Sequence, residues 1–397
     1  MANEDYGEEK QMGANSDEQL IEEIIPAVDP GDLRSDFDHW PELASRSWGS
    51  SKPHPLKKFP KSIVVSGLGG SGIIGELIFD LFSESRSKRI IHVLKDYHLP
   101  SHIDQSSVVI GVSCSGNTEE TLSTLYEAIG RGIECHAFGT GGELEKISQF
   151  ASNYYFTRAE AFKVPRSSLP GIFYPVLKFL VSNSLIEIQS DEIEESLRAL
   201  SIVQKNCVDL KNSKSLGMAR MLTRSKSFPL IYTSRRTRAA GMRFRQSLNE
   251  NAKLHGFDGV VPELCHNDIV GWDARISKRN PQGSSPDSDD PSRGGSNPVF
   301  LLRFPDDPLE ISTRMDIVSD IVRKNGGIVV EAPHEGKSYL ARTMSMIYYL
   351  DFCSYYCAIF RRVNPISTPS IDFLKAELKS RLGYLEKIPE RKTNLIS

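Results

Sequence analysis

The stretch that decides the fold is SIVVSGLGGSGIIGELIFDLF, residues 62–82. Its start over 62–67, rich in β-branched residues, predicts a buried strand, and apolar residues at helical spacing over 71–82 predict a helix. Gly67, Gly69 and Gly72 have the spacing Gly-x-Gly-x-x-Gly between them. Such a turn brings backbone N–H groups at a helix N-terminus close to an anion, and dinucleotide-binding folds also use it. The stretch predicts an α/β fold with a ligand at this turn, a tight turn without a ligand being the alternative.

Strands and helices continue to alternate after this stretch. Strands are predicted over 89–94, 106–113 and 134–139, with a helix over 117–129. After a mostly helical connector over 167–210, strands are predicted over 229–233, 298–304 and 327–333, with helices over 237–253, 309–325, 338–361 and 370–384. This order predicts two doubly wound parallel sheets, each covered by helices on both faces, and a helical C-terminal tail.

Composition indicates the domain boundaries. An acidic, polar segment over 1–25 is expected to be disordered. An N-terminal domain over 26–190, a C-terminal domain over 191–365 and a helical tail over 366–397 follow it. The second domain contains a stretch over 276–297 that is rich in Pro, Gly, Ser and Asp and lacks apolar periodicity. We expect this insertion to be disordered, with a functional loop as the alternative.

Composition and charge exclude several classes of protein. Hydrophobic residues make up 39% and charged residues 25% of the 397 residues, as in a soluble globular protein with a full core. No apolar run approaches the roughly 20 residues of a membrane span. The net charge is −3, but acidic residues are concentrated in residues 1–30, so the remainder is mildly basic. A mildly basic body suits small anionic substrates and lacks the concentrated basic stripe that nucleic acid binding requires.

The cysteines and the N-terminus predict a location. No cysteine pair has Cys-x-x-Cys spacing and no Cys/His cluster has zinc spacing, so we expect reduced thiols and no metal site. Cys353 and Cys357, four residues apart on a predicted helix, are expected to be small core residues. The acidic N-terminus differs from a secretory signal, and these features together predict a cytoplasmic protein.

A second motif, SCSGNTEET over 113–121, follows the third strand and begins its helix. Ser113, Ser115 and Thr118 place three hydroxyls within six residues, and Gly116 permits a sharp turn. Hydroxyls and helix N-terminal amides together suit a terminal phosphate group. A dinucleotide-binding fold has no use for a second cradle of this kind. The alternative is that Ser115, Asn117 and Thr118 only cap the helix.

These two motifs resemble the sugar isomerase (SIS) domain, which binds phosphosugars. Four further segments occur in the order found in the bifunctional phosphoglucose/phosphomannose isomerases: VPRSSLPG (164–171), NENAK (249–253), ELCHNDIVGW (263–272) and TPSIDFLKAEL (368–378). The resemblance covers most of residues 40–385 and omits the N-terminal segment and the insertion. Asp268 departs from the family pattern, in which Glu is expected after His-Asn.

The resemblance implies an aldose–ketose isomerase. Such an enzyme interconverts glucose 6-phosphate or mannose 6-phosphate with fructose 6-phosphate through an enediolate, without a metal or another cofactor. It also implies a homodimer, with the site between the two domains and His266 able to reach the partner's site. The phosphate is expected to bind at Gly69, Gly70, Ser71, Ser113, Ser115 and Thr118.

Four residues are implied to carry the chemistry. Isomerisation needs a base within reach of C1 and C2, a proton relay for ring opening and a cation beside the enediolate. Glu250 resembles the family's base, and Arg166 resembles the cation. His266 resembles the ring-opening residue, with Lys375 as its partner. Taken alone, each of these residue types is also common in purely structural roles.

Thr368 is implied to control which sugar is accepted. In the dual-specificity family a threonine occupies this position, whereas glucose-only isomerases have a longer glutamine. A small side chain leaves space for the C1–C2 part of the enediolate to rotate, so that the proton can reach either face of C2. The alternative is that Thr368, before Pro369, only begins a helix.

Two functions from other classes remain open from sequence. A non-catalytic phosphosugar sensor would keep the hydroxyl cradle without needing Glu250 and Lys375. A dehydrogenase that uses a nicotinamide cofactor is disfavoured by the second cradle. A basic run before Glu250 is expected to be structural, on one solvated helix with a partly buried side; its members are Arg235, Arg236, Arg238, Arg243 and Arg245.

Overall fold

The computed structural model describes residues 21–85, 87–225, 227–273 and 297–383. Its helices and strands are, in chain order, α1 (21–28), α2 (Leu33–Asp38), α3 (Trp40–Ser50), β1 (Ser62–Ser66), α4 (Gly69–Glu84), β2 (Ile90–Leu94), β3 (Ser107–Val112), α5 (Glu119–Gly130), β4 (Glu134–Gly139), α6 (Gly142–Ile147), β5 (Tyr154–Arg158), α7 (Leu169–Ser182), α8 (Ser190–Val208), α9 (Lys214–Arg224), β6 (Leu230–Thr233), α10 (Arg238–Ser247), β7 (Phe257–Val260), β8 (Pro298–Leu302), α11 (Leu309–Lys324), β9 (Ile328–Glu331), α12 (Tyr339–Arg361) and α13 (Pro369–Leu382).

The chain forms two compact units. Of the described residues, the first unit comprises those within 35–197 and 367–383, and the second comprises those within 21–34 and 198–366. Each contains one parallel sheet. The predicted class, α/β with two doubly wound parallel sheets, is therefore confirmed.

The first unit has a five-stranded sheet in the order β2-β1-β3-β4-β5, and every pairing is parallel. Side chains alternate across the sheet. Val64 packs in a core with Leu122 and Leu144 of α5 and α6, whereas the adjacent Val65 lies close to Gly75 of α4. Helices therefore cover both faces, which explains why β1 and β3 are buried along their whole length.

The second unit has a four-stranded parallel sheet in the order β7-β6-β8-β9. One of its cores contains Tyr232, Leu264, Val299 and Val318. The central helix α12 is buried along most of its length and packs against α9 and α10. Cys353 and Cys357 lie on this helix as fully buried free thiols, as predicted.

The structure corrects the predicted segment boundaries at the N-terminus. Residues 21–25, assigned from sequence to a disordered segment, are helical. The Tyr355 hydroxyl donates to Asp29 Oδ2 at 3.2 Å, and Ile366 packs closely on Gly31. These contacts explain why residues up to Arg34 group with the second unit, although the prediction placed residues 26–34 in the first domain. Residues 1–20 and 276–296 of the predicted segments lie outside the described residues.

Several elements differ from the prediction. Helix α6 and strands β5 and β7 were not predicted. The expected single helix over 237–253 is a 3-10 turn, Arg235–Thr237, followed by α10 and a π-helical turn, Leu248–Ala252. Helix α13, predicted as part of a separate tail, groups with the first unit. Within the described ranges, no helix has the length and apolar character needed to cross a membrane.

Candidate active site

The first sheet positions both predicted phosphate motifs at one point. In the strand order β2-β1-β3-β4-β5, the chain leaves β1 toward one edge and β3 toward the other. Ligands of open parallel sheets bind outside the carboxyl ends of the strands at such a switch point. The loop 67–72 follows β1, and the loop 113–118 follows β3. The fold therefore brings the two motifs together, although about 40 residues separate them in the chain.

Hydrogen bonds to the hydroxyls connect the first loop to the second, and others lie within the second loop. Ser71 Oγ accepts a hydrogen bond from the Cys114 amide at 3.0 Å, which ties the first loop to the second. Ser113 Oγ accepts one from the Gly116 amide at 3.1 Å and lies 2.7 Å from Thr118 Oγ1. A hydroxyl that accepts a hydrogen bond from an amide still has its own proton to donate. The Ser71 hydroxyl can therefore donate a hydrogen bond to a ligand. The Ser113–Thr118 pair likewise retains one donor after its mutual bond.

The capping alternative is wrong for Thr118. Thr118 is the N-cap residue of α5, but its side chain makes no capping hydrogen bond to the helix. Ser115 is exposed, and its hydroxyl accepts from the Asn117 amide at 3.3 Å. The hydroxyls of Ser113, Ser115 and Thr118 thus bond within the loop over 113–118.

Gly116 fixes the shape of the second loop. Its φ is +72°, and a Cβ built on it would lie 1.8 Å from the Gly141 carbonyl oxygen. Any other residue at this position therefore needs both a left-handed backbone and a displaced Gly141, which lies between β4 and α6. The loop can approach this connection so closely because residue 116 is glycine.

We expect Gly116→Ala to lower the free energy of unfolding by about 2–3 kcal/mol. The cost combines the left-handed backbone conformation with the overlap at Gly141. Urea denaturation measures it. Gly49→Ala is the control, because nothing lies within 4 Å of a Cβ built on Gly49 within helix α3. Equal stability of the two variants would contradict the tight approach of the loop to Gly141.

Arg166 lies beside the first loop. It belongs to a 3-10 turn, Pro165–Ser168, and only 4% of the residue is exposed. A Cβ built on Gly70 would lie 3.3 Å from Arg166 Cα, so the absence of a side chain at Gly70 allows the two backbones to meet. The structure therefore brings Arg166 together with the predicted phosphate cradle.

Two residues that sequence reasoning missed anchor the turn that carries Arg166. The Ser167 hydroxyl donates to Asp36 Oδ2 at 2.7 Å, and Trp40 Nε1 donates to the Ser167 carbonyl at 2.7 Å. Asp36 and Trp40 are both buried. No local signal identifies them, because more than 120 residues separate them from Ser167.

The remaining predicted catalytic residues lie elsewhere in the chain. Glu250 is half-buried in the π-helical turn after α10, and the exposed His266 ends a 3-10 turn, Glu263–Cys265. Both belong to the second unit. Lys375 is exposed on α13, and Thr368 precedes that helix; both are grouped with the first unit.

The carboxyl edge of the second sheet is built differently. Its order β7-β6-β8-β9 has an equivalent switch point between β6 and β8. There Thr237 Oγ1 donates to the Leu302 carbonyl at 2.8 Å, and Arg236 pairs with Asp307 at 3.0 Å. Side chains of the protein itself thus bond to one another at this position.

The basic run is structural, as predicted. Arg243 pairs with Asp351 at 2.8 Å in the core, and Arg245 pairs with Asp258 at 2.6 Å. Arg236 pairs with Asp307 in addition, so at least three of the five arginines have carboxylate partners. These ion pairs neutralise positive charges of the basic run, which would otherwise suggest a binding site for a polyanion.

Comparisons with known proteins identify the family. A family model described as the bacterial phospho-glucose isomerase C-terminal SIS domain matches residues 211–378. The bifunctional phosphoglucose/phosphomannose isomerase of Caldicellulosiruptor bescii is 32% identical over 318 residues, which cover 80% of this chain and 89% of that protein. This chain belongs to the bifunctional phosphoglucose/phosphomannose isomerase family. The protein of the same description from Aquifex aeolicus is 30% identical over 326 residues, covering 80% of this chain and 91% of that protein.

A solved structure supports the fold. A hypothetical protein of Thermus thermophilus matches with a TM-score of 0.64 at 15% identity, covering 94% of this chain and 97% of that chain. This likeness concerns the fold alone. The relatives at 30% and 32% identity confirm the bifunctional phosphoglucose/phosphomannose isomerase family predicted from the motifs. The range matched by the SIS family model contains Glu250, His266, Thr368 and Lys375.

Proposed function

We propose that the chain interconverts glucose 6-phosphate or mannose 6-phosphate with fructose 6-phosphate through an enediolate. One observation carries the proposal: the hydroxyl cradle at the switch point of the first sheet lies against the turn that holds Arg166. A phosphate cradle alone suits any phosphosugar-binding protein. A buried arginine beside it adds the cation that an enediolate intermediate requires. Membership of the isomerase family supports the same reaction.

Each predicted residue has one task in this reaction. Ser71, Ser113, Ser115, Thr118 and the amides of Gly69 and Gly70 bind the phosphate. His266, with Lys375, moves the proton that opens the sugar ring. Glu250 then carries a proton between C1 and C2, while Arg166 stabilises the negative oxygen of the enediolate.

We also propose a homodimer that works in the cytoplasm. Helix α13 supports an association with a second chain, because Phe373 is 69% exposed and Leu374 is 56% exposed on it. Neighbouring exposed apolar side chains are typical of contact surfaces. Measuring the molar mass in solution tests the dimer.

The reaction is tested by incubating the protein with fructose 6-phosphate alone and following the products by NMR. We expect both glucose 6-phosphate and mannose 6-phosphate to form without added cofactor. A phosphosugar sensor would bind the substrate without turnover, and a dehydrogenase would need a nicotinamide cofactor. Either result would contradict the isomerase.

Activity is expected to survive excess EDTA. Arg166 supplies a permanent positive charge for the enediolate, so this chemistry has no step that needs a Lewis acid. The same NMR assay with and without the chelator measures this. Loss of activity with EDTA and its recovery with zinc would contradict the proposed role of Arg166.

We expect Thr368→Gln to depress mannose 6-phosphate turnover about tenfold more than glucose 6-phosphate turnover, since about 1.4 kcal/mol of selective strain has this effect. Thr368 is the N-cap residue of α13, but its side chain makes no capping hydrogen bond. The hydroxyl is therefore not needed to begin the helix. A longer side chain would fill the space in which the C1–C2 part rotates.

Steady-state kinetics on both sugars with one preparation measure the ratio. Thr313→Gln, the same change at an exposed position of α11, is the control. Parallel losses on both sugars would mean that Thr368 does not select the substrate.

A further inference from the structure

Helix α12 holds the π-helical turn that carries Glu250. Asn251, the next residue, is fully buried, and its Nδ2 donates to Ser354 Oγ at 2.9 Å. Ser354 is also fully buried, and its hydroxyl donates to the Asp351 carbonyl one turn earlier at 2.7 Å. The bond from Asn251 therefore ends on a side chain whose own orientation is fixed.

A second contact holds the start of the same turn. Ser247, the last residue of α10, donates from Oγ to Asp351 Oδ1 at 2.5 Å. Arg243 holds the same carboxylate through Nε at 3.2 Å and Nη2 at 2.8 Å. Asp351 is fully buried, so both oxygens are oriented by the protein rather than by water. The turn is thus held on both sides of Glu250.

The backbone of the turn needs such support. A π-helical turn is an uncommon, less stable conformation that proteins keep at functional positions. Here it ends at Lys253 in the left-handed region, with φ of +53°. Lys253 Nζ donates to the Glu250 carbonyl at 2.6 Å, and Arg361 Nε, also on α12, donates to the Ala252 carbonyl at 2.9 Å. Bonds from neighbouring groups therefore hold a conformation that the local sequence disfavours.

The carboxyl groups of Glu250 and Asp351 also interact electrostatically. Burial raises the pKa of the Asp351 carboxyl, the Arg243 guanidinium opposes that rise, and the negative charge of Glu250 adds to it. The negative charge of Glu250 is thus part of the electrostatic surroundings of Asp351 on helix α12.

We propose that Ser354 and Asp351 are positioning residues for Glu250, acting through Asn251 and Ser247. The inference rests on the proposed function, since it takes Glu250 as the base. A base that serves both C1 and C2 must reach each carbon's proton, and a misplacement of about 1 Å can cost about 10²-fold in rate. Neither residue touches the substrate in this role.

The test compares Ser354→Ala with Ser345→Ala. Both serines are fully buried on α12, but Ser345 bonds to the backbone of Glu335 instead of the π-helical turn. We expect Ser354→Ala to lower kcat about tenfold with KM changed less than about twofold. The primary isotope effect on kcat with glucose 6-phosphate deuterated at C2 should rise, because proton transfer becomes slower. Ser345→Ala should change neither quantity.

Hydrogen exchange of the amides over 248–254 gives a readout that does not depend on turnover. We expect faster exchange in Ser354→Ala than in Ser345→Ala, and Ser247→Ala should behave as Ser354→Ala does. These hydroxyl deletions avoid leaving the buried Arg243 charge without its partner, as Asp351→Asn would.

The outcomes separate this inference from the proposed function. If wild-type protein turns over and Glu250→Gln does not, but Ser354→Ala matches Ser345→Ala, the positioning role alone is overturned. Unchanged exchange over 248–254 also overturns it. If wild-type protein has no isomerase activity, the proposed function fails and the positioning role fails with it, whatever the exchange shows.

Discussion

Glu250→Gln is expected to lower kcat for fructose 6-phosphate by about 10²–10⁴-fold, the usual loss when a positioned base is removed. The amide cannot accept the proton that must leave C1 or C2, so the enediolate does not form. Glutamine keeps the size of the side chain, and Asn251 and Lys253 keep their bonds around the π-helical turn. Phosphosugar binding should therefore persist, because the cradle is formed by other residues.

Calorimetric titration with glucose 6-phosphate measures the binding affinity, and steady-state kinetics measure kcat. Glu310→Gln, the same change at an exposed position in the first turn of α11, should leave both unchanged. Near-normal kcat in Glu250→Gln would mean that another group is the base. A loss of binding as large as the loss of kcat would mean instead that Glu250 supports the binding site.

Sequence predicted the elements that have a strong local pattern. Strands β1 and β3 are apolar and end in glycine- or serine-rich loops, so the positions of these strands and of the two loops could be predicted from the chain alone. Strand β7 was missed because FDGV contains Asp and Gly, both unfavourable in strands, and exposes Phe257. It is a strand because it pairs with β6.

The π-helical turn could not be predicted for a different reason. Its side chains continue the apolar pattern of α10, so the sequence over 237–253 indicates one helix. The change lies in the hydrogen-bond register of the backbone: the Lys253 amide bonds to the Leu248 carbonyl, five residues back instead of the four of an α-helix. Contacts from Ser354 and Arg361, more than 100 residues away, stabilise that register. The local sequence around residues 248–252 does not indicate these distant contacts.

In the candidate site, too, some residues have a local sequence signal and others are brought together only by the fold. Residue types and spacing located the hydroxyls of the cradle, whereas the residues that hold Arg166 and Glu250 in place are distant in the chain. Ser167 and Asp36 are 131 residues apart, and Ser247 and Asp351 are 104 residues apart. Such contacts arise only when the sheet and its covering helices have formed.

Arg166→Lys is expected to lower kcat by about 10²-fold, near the lower limit for removing a donor from a developing oxyanion. Lysine keeps the positive charge, so the electrostatic balance of the buried turn is retained. It lacks the planar fork of the guanidinium, which can donate two parallel hydrogen bonds to neighbouring oxygens. Arg166→Lys should therefore weaken binding of the transition state, in which the negative charge spreads over the C1 and C2 oxygens. The affinity for the sugar in its ground state should change much less.

A charged analogue of the enediolate, such as a hydroxamic acid that carries the same phosphate arm, separates these states. Since such an analogue imitates the transition state, its affinity should fall by about the same factor as kcat/KM, while the affinity for glucose 6-phosphate changes little. Arg158→Lys is the control, because Arg158 ends β5 in the same unit and is exposed in an ion pair with Glu145. Equal losses of affinity for the analogue and for glucose 6-phosphate would instead make Arg166 part of the phosphate cradle, beside Gly70, and would leave the enediolate without its assigned cation.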